Sequence, residues 1–151
     1  MSQRESVPGL TRLVPTEFRY RRRVQFHETD LAGLVHFSWF FRYMEEAEHA
    51  MWREAGVSIH PPDAEIYWLR LAASFEFHGA LRFEDEFDVR LKVAERTKKT
   101  MRYTCVLKKG DTKIATGAMT IVCARKRPDQ SMKATDIPAE IAARFPVHHG
   151  S

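Results

Sequence analysis

Cysteine is scarce in this chain: Cys105 and Cys123 are the only two among 151 residues. They make no close pairing motif and each falls inside a strand-like segment, so two buried free thiols in a reducing compartment are expected and a disulfide is not. Neither stands on a loop or beside a helix start that would lower its pKa, which disfavours a cysteine nucleophile. Long apolar runs are also missing. No run approaches transmembrane length and residues 1–16 hold no apolar core of signal-peptide length, so a cytoplasmic protein with no membrane partner is expected. No repeat, linker or low-complexity tract divides the chain. Its length suits one domain, burying roughly 68–70% of its unfolded surface. Residues 1–16 mix Ser, Pro, Gly and Arg without periodicity and read as a loosely held arm, leaving 17–147 as the domain and 148–151 as a tail. HExxH is absent too. Glu45 with His49, and Glu48 nearby, are the one grouping that suggests a metal, but the other polar residues of their helix look solvent-facing, and no metal is expected.

What the chain does have is concentrated between Val24 and Ala47. Ahead of it, Phe18, Tyr20, Val24 and Phe26 recur at period two, as on a strand with one buried face and Arg19, Arg21, Arg23 and Gln25 on the other. From Trp39 to Ala55 the apolar positions Phe40, Met44, Ala47, Met51 and Ala55 fall three and four apart, the stripe of an amphipathic helix. Between strand and helix lies a polar loop with a carboxylate, a glycine and two histidines.

That junction can do chemistry. The first N–H groups of a helix lack internal partners and carry the positive end of its dipole, so the Val35 to Trp39 region offers donors to an oxyanion. Asp30 reaches the same spot if Gly33 lets the loop fold back. A carboxylate facing a helix start can serve acyl transfer, attacking a carbonyl or activating water while the amides polarise it. Thioesters suit such minimal machinery, because a thiol with a pKa of about 8.5 leaves as thiolate without an obligatory proton donor.

The rest of the chain reads as strands. Gly56 stops the helix and His60-Pro61-Pro62-Asp63 breaks any continuation. Tyr67, Leu69, Leu71, Ala73, Phe75 and Phe77 alternate up to Gly79. Phe87, Val89, Leu91 and Val93 alternate next, then Met101, Tyr103, Cys105 and Leu107. Ile114 to Ala124 is apolar on both faces toward its end and so reads as central. The connections are too short for intervening helices, which implies a run of hairpin-connected, antiparallel strands. One helix of about sixteen residues, roughly 24 Å long, buries its stripe by lying in the concave side of a curved sheet: an α+β layout. After Arg125-Lys126-Arg127-Pro128 the chain is polar to Ile137-Pro138, and Ala139 to Phe145 can form a last helical turn or two.

The run Thr29-Asp30-x-x-Gly33-x-Val35, followed by a helix carrying Phe40-Phe41-x-Tyr43-x-Glu45-x-Ala47, resembles the hotdog-fold acyl-CoA thioesterases of the 4-hydroxybenzoyl-CoA thioesterase-like family, over about Phe18 to Pro138. The resemblance implies that Asp30 is the carboxylate acting as nucleophile or general base and that a backbone N–H near Phe37 polarises the carbonyl. Gly33, Val35 and Trp39 complete the expected oxyanion and substrate-binding set. It also implies a homodimer or homotetramer with sites built from both subunits, coenzyme A as part of the substrate, and no cofactor. Many members carry His or Asn seven positions after the Asp; here that position is Phe37, with His36 one residue earlier. Either His36 takes over that role or none is needed.

The formal charge of +4, with seven histidines counted neutral, suits an anionic partner. Lys98, Lys99, Arg125, Lys126 and Arg127 are the side chains that could meet coenzyme A phosphates, and Trp39, Phe40, Phe41, Tyr67 and Trp68 could line an acyl or aryl pocket. Nucleic acid is not expected: Arg19, Arg21, Arg22 and Arg23 interleaved with Phe18 and Tyr20 read as a solvated sheet face. Three alternatives stay open. Asp30 could merely fix its loop by an Asx turn, the same pocket could bind acyl-CoA without cleaving it, or Asp30 and His36 could serve a hotdog hydratase or dehydratase.

Overall fold

Strand periodicity turns into one curved sheet. The computed structural model describes residues 17–147; the arm at 1–16 and the tail at 148–151 lie outside the described residues. The elements are β1 (Phe18–Arg23), a 3-10 turn (Phe26–Glu28), α1 (Ser38–Glu54), β2 (Ile66–Phe77), β3 (Glu86–Arg96), β4 (Thr100–Lys109), β5 (Thr112–Lys126), β6 (Met132–Ala134) and α2 (Ala139–Ala142). The sheet order is β1-β3-β4-β5-β2, with β6 paired to β5, and every pairing is antiparallel. This is the α+β hotdog layout, with α1 packed against the sheet.

The alternation read for β3 and β4 sets their faces: Phe87, Val89, Leu91, Val93, Met101, Tyr103, Cys105 and Leu107 are all buried. On α1 the stripe Phe40, Met44, Ala47, Met51 and Ala55 is buried with Tyr43 and Trp52, and burying each large apolar side chain contributes roughly 1.5–3 kcal/mol. The helix ends as Gly56 allows. Its φ is +84°, the Gly56 N–H donates to Arg53 O at 2.9 Å, and the Val57 N–H donates to Trp52 O at 3.1 Å, a Schellman motif. Both cysteines are buried free thiols, and burial pushes both pKa values up.

Four features differ from the sequence reading. First, Phe26 is 75% exposed, not on the buried face, because β1 stops at Arg23 and the 3-10 turn swings the following residues out of strand phase. Second, β2 and β3 are consecutive but not neighbours. β2 lies at the far edge beside β5, and the segment between Phe77 and Glu86 crosses from one side of the sheet to the other. β5, paired with β4 on one side and β2 on the other, is interior as expected. Third, β2 does not keep one phase. Its register passes from Arg70↔Ile121 to Ala72↔Thr120, leaving Leu71 as a bulge residue. The inserted residue flips the faces: Trp68 and Arg70 point to α1 before it, Phe75 and Phe77 after it. Fourth, the buried stripe of α1 includes an acid that its apolar spacing does not announce, Glu48. It is completely buried within the helix stripe, where Arg70 grips both its oxygens at 3.0 and 2.6 Å.

One close approach matters for the cleft described next. Phe75 pairs with Gly117, where a Cβ would lie 2.6 Å from the Phe75 ring. With no side chain there, the ring occupies the space over Gly117 and buttresses Phe40 and Phe41 at centroid distances of 6.0 and 5.1 Å.

Candidate active site

The loop between the 3-10 turn and α1 folds back on itself as a miniature ladder. His36 N–H donates to Glu28 O at 2.9 Å, Thr29 and Val35 form a bridge, and Asp30 N–H donates to Leu34 O at 2.8 Å. At its tip Gly33, with φ +78°, donates to Asp30 O at 3.0 Å; the left-handed conformation explains the glycine. The ladder is laced to the crossover after β2 by Val35 N–H to Leu81 O at 2.9 Å and a Leu34–Arg82 bridge. Together these segments and the start of α1 enclose a cleft of about 390 Å³ lined by Asp30, Val35, His36, Phe37, Phe40 and Phe77 among others.

Asp30 is exposed at this cleft. Its Oδ1 accepts from Ala32 N–H at 2.9 Å and Leu34 N–H at 3.2 Å, which is an Asx turn. Among the described residues no hydrogen bond engages Oδ2. The carboxylate therefore shapes its own loop with one oxygen, while among the described residues the other is left unengaged.

Of the four residues expected to supply oxyanion or substrate contacts, three have amides engaged elsewhere: Gly33 to Asp30 O, Val35 to Leu81 O and Trp39 to His36 O. Phe37 differs. It is the N-cap of α1, and among the described residues its N–H has no partner, while the flanking His36 and Ser38 amides are both bonded. An unpaired amide at a helix start, in a cleft that a carboxylate also lines, is chemically able to receive an oxyanion.

His36 lines the cleft, but its Nδ1 takes the Ser38 N–H at 3.3 Å and lies 2.8 Å from Ser38 Oγ. In the neutral ring the proton is then on Nε2. The residue acts first as a side-chain cap for α1. Trp39 does not line the cleft; it packs half-buried against His27 and lies under Arg42. Phe40 does line it, whereas Trp68 packs on Trp52 and Tyr67 lies tilted against His60.

The cationic set lies elsewhere. Lys98 and Lys99 precede β4, Arg125 and Lys126 end β5, and Arg127 follows it. β2 runs from Ile66, opposite Arg125, to Phe77, opposite Ala115. Along β5 that separation is roughly 33 Å at ~3.3 Å per residue. Within one chain these cations do not reach the Asp30 cleft.

Behind the ladder sits a group that the sequence reading missed. Glu28 is completely buried. Its Oε1 accepts from Gln25 N–H at 2.8 Å, Arg22 Nη1 at 2.7 Å and Tyr43 Oη at 2.8 Å, and its Oε2 accepts from Arg22 Nη2 at 2.6 Å. Arg22 also bonds Glu46 on α1 at 2.9 and 3.1 Å. Burial alone would raise the Glu28 pKa, but Arg22, the Gln25 amide and Tyr43 outweigh it and hold the carboxyl below its ordinary value. Glu48 goes the other way: burial lifts its pKa against the pull of Arg70. A signal for Glu28 was available, since Arg22 shares strand parity with Phe18 and Tyr20, and a cation on an inward face needs an anion nearby.

A family model described as the Thioesterase-like superfamily matches residues 24–145, from the end of β1 to beyond α2. The chain belongs to the thioesterase-like superfamily. A relative from Aquifex aeolicus (strain VF5), assigned provisionally as an esterase, is 37% identical over 99 residues, covering 65% of this chain and 77% of the relative. A solved Aquifex aeolicus protein of unassigned function superposes with a TM-score of 0.79 at 32% identity, covering 85% of this chain and 99% of that one. A gentisyl-coenzyme A thioesterase superposes at 0.74 with 26% identity, covering 82% and 98%. The likeness to a 1,4-dihydroxy-2-naphthoyl-CoA thioesterase from Synechocystis, at 0.78 and 20% identity over 85% and 95%, is one of fold. Membership places the chain among thioester hydrolases, and among the described residues of this thioesterase-like protein no helix is long and apolar enough to cross a membrane.

Proposed function

We propose that the chain hydrolyses the thioester bond of an acyl-CoA, releasing free coenzyme A and a carboxylic acid. Asp30 acts from the cleft as nucleophile or general base, and the Phe37 N–H receives the carbonyl oxygen as it becomes an oxyanion. As nucleophile, Asp30 bonds to the carbonyl carbon and the C–S bond breaks with its electron pair leaving on sulfur; water then cleaves the resulting anhydride. As base, Asp30 takes a proton from water that attacks directly. Either route consumes one water and needs no cofactor. The observation that carries the proposal is the pairing, in one cleft, of a carboxylate oxygen and an amide at the start of α1 that are both without a partner among the described residues. The acyl group lies along Phe40 and Phe77. Coenzyme A as the thiol carrier is favoured by the likeness to the gentisyl-coenzyme A thioesterase.

The proposal includes a homodimer across β2. That strand is an edge of twelve residues, with Leu69, Leu71 and Phe77 exposed, and such an edge invites pairing. A two-fold antiparallel pairing of β2 with its copy sets the Ile66 end of one protomer beside the Phe77 end of the other. Arg125 and its neighbours then approach the partner's cleft, where the phosphates of coenzyme A would lie. Their distance within one chain is thereby reconciled with a role in binding.

One observation favours a second reading. The Asx turn gives Asp30 a structural occupation, which suits a module that binds acyl-CoA without cleaving it. Thiol release from a panel of short, long and aromatic acyl-CoA esters, with D30N as control, decides between the two.

A further inference from the structure

Glu28 does not line the cleft, and no hydrolytic step uses it, yet both its carboxylate oxygens are fully engaged behind the site. Its carboxylate takes four donors from β1, the 3-10 turn and α1. An apolar residue would fill the same volume without the desolvation cost of a buried ion. Something other than packing therefore accounts for the charge.

The backbone of the same residue supplies the answer. The Glu28 carbonyl is the acceptor for the His36 amide, the last bond before the unpartnered Phe37 N–H. The side chain is held by Arg22 and Tyr43, which are themselves fixed: Arg22 to Glu46, and Tyr43 against Phe87 at a centroid distance of 4.8 Å. Side chain and main chain of one residue thus join the core to the rung that aims Phe37. The next rungs, Thr29–Val35 and Asp30–Leu34, carry Asp30.

We propose that Glu28 is a positioning residue for thioester cleavage, its clamped carboxylate setting the ladder so that the Phe37 amide and Asp30 face the same point. The proposal rests on the reading of Asp30 and Phe37 given above. Glutamine at this position keeps the shape but turns an NH₂ toward a ring of donors, so E28Q loosens the clamp without leaving a cavity. Y43F removes one donor and keeps the ring.

The test combines steady-state thiol release with amide hydrogen exchange on wild type, E28Q, Y43F and D30N. In folded E28Q, kcat falls about 10- to 100-fold with KM within about threefold, the pattern of misaligned reacting groups. The His36 amide exchanges at least about tenfold faster, while the Tyr103 and Cys105 amides in β4 are unchanged. Y43F shows the same changes at about 3- to 10-fold in kcat and carries the test if E28Q does not fold. Unchanged kcat with unchanged His36 exchange, or loss of kcat only in step with the folded fraction, overturns the proposal. A wild type that releases no thiol, or a fully active D30N, overturns instead the reading of the site; the clamp is then judged on His36 exchange alone.

Discussion

Asp30 and Leu34 are joined twice: the Asp30 N–H donates to Leu34 O at 2.8 Å, and the Leu34 N–H donates to Asp30 Oδ1 at 3.2 Å. The loop and its carboxylate are therefore one unit. Asn at position 30 keeps the Oδ1 acceptor, so D30N is expected to melt within about 2 °C of wild type. Thiol release should nevertheless fall by about 10²–10⁴, since the anion is gone. D30A loses both side-chain bonds as well and should cost a further ~1–2 kcal/mol in chemical denaturation. An active, stable D30N would assign Asp30 to its Asx turn alone.

The Phe37 amide can be removed without a side-chain argument. Phe37 has φ −55° and its ring is 61% exposed, so proline fits the backbone angle there and takes no bonded N–H away. F37P is expected to lower kcat by about 10²–10³, the loss typical of one oxyanion donor. F37A, which keeps the amide, should stay within about tenfold of wild type. Equal activity of the two variants, measured by thiol release, would remove the amide from the mechanism.

Acid should expose the Glu28 clamp. In the unfolded chain Glu28 titrates near the ordinary value of about 4.3; in the folded chain it titrates lower. Between those values the unfolded state binds the proton that the folded state refuses. The stabilisation is complete above the unfolded pKa and is lost as pH falls through the folded one. Denaturant midpoints of wild type and E28Q should accordingly differ most near neutrality, draw together once pH falls below the ordinary carboxylate value, and meet only below the lowered folded one. Parallel curves throughout would mean that Glu28 is not held as an anion.

Charge on the β2 edge should break the assembly. L69D with L71D places carboxylates on the proposed seam, where unpaired like charges oppose strand addition. Light scattering should report a dimer for wild type and a monomer for the double variant, with KM for acyl-CoA raised because the partner's cations are lost. A monomeric wild type would leave Lys98, Lys99, Arg125, Lys126 and Arg127 without a route to the cleft.

Much of this was legible in the sequence where geometry is local. The alternation of β3 and β4, the α1 stripe, the stop at Gly56 and the loop holding Asp30 follow from period and turn chemistry. Long-range pairing was not legible: nothing in the β2 residues says that they sit beside β5, and the bulge at Leu71 reverses half of an otherwise regular alternation. Amide availability was not legible either. Gly33, Val35, Phe37 and Trp39 look alike as candidate donors until Leu81, Asp30 and His36 are seen to occupy three of them. Glu28 was passed over because an acid next to His27 in a polar loop looks solvated; only the parity of Arg22 hinted otherwise.

The folded-back loop has a further consequence for anyone wishing to alter the protein. Because rungs at Glu28–His36 and Asp30–Leu34 fix how many residues stand between them, insertions or deletions there would throw acid and amide out of alignment even if every side chain were kept. Chemistry at the tip is another matter. Leu31 is fully exposed, and the Ala32 side chain takes no part in the turn, so these two positions form a plot on which recognition can be rewritten while the catalytic spacing stays put.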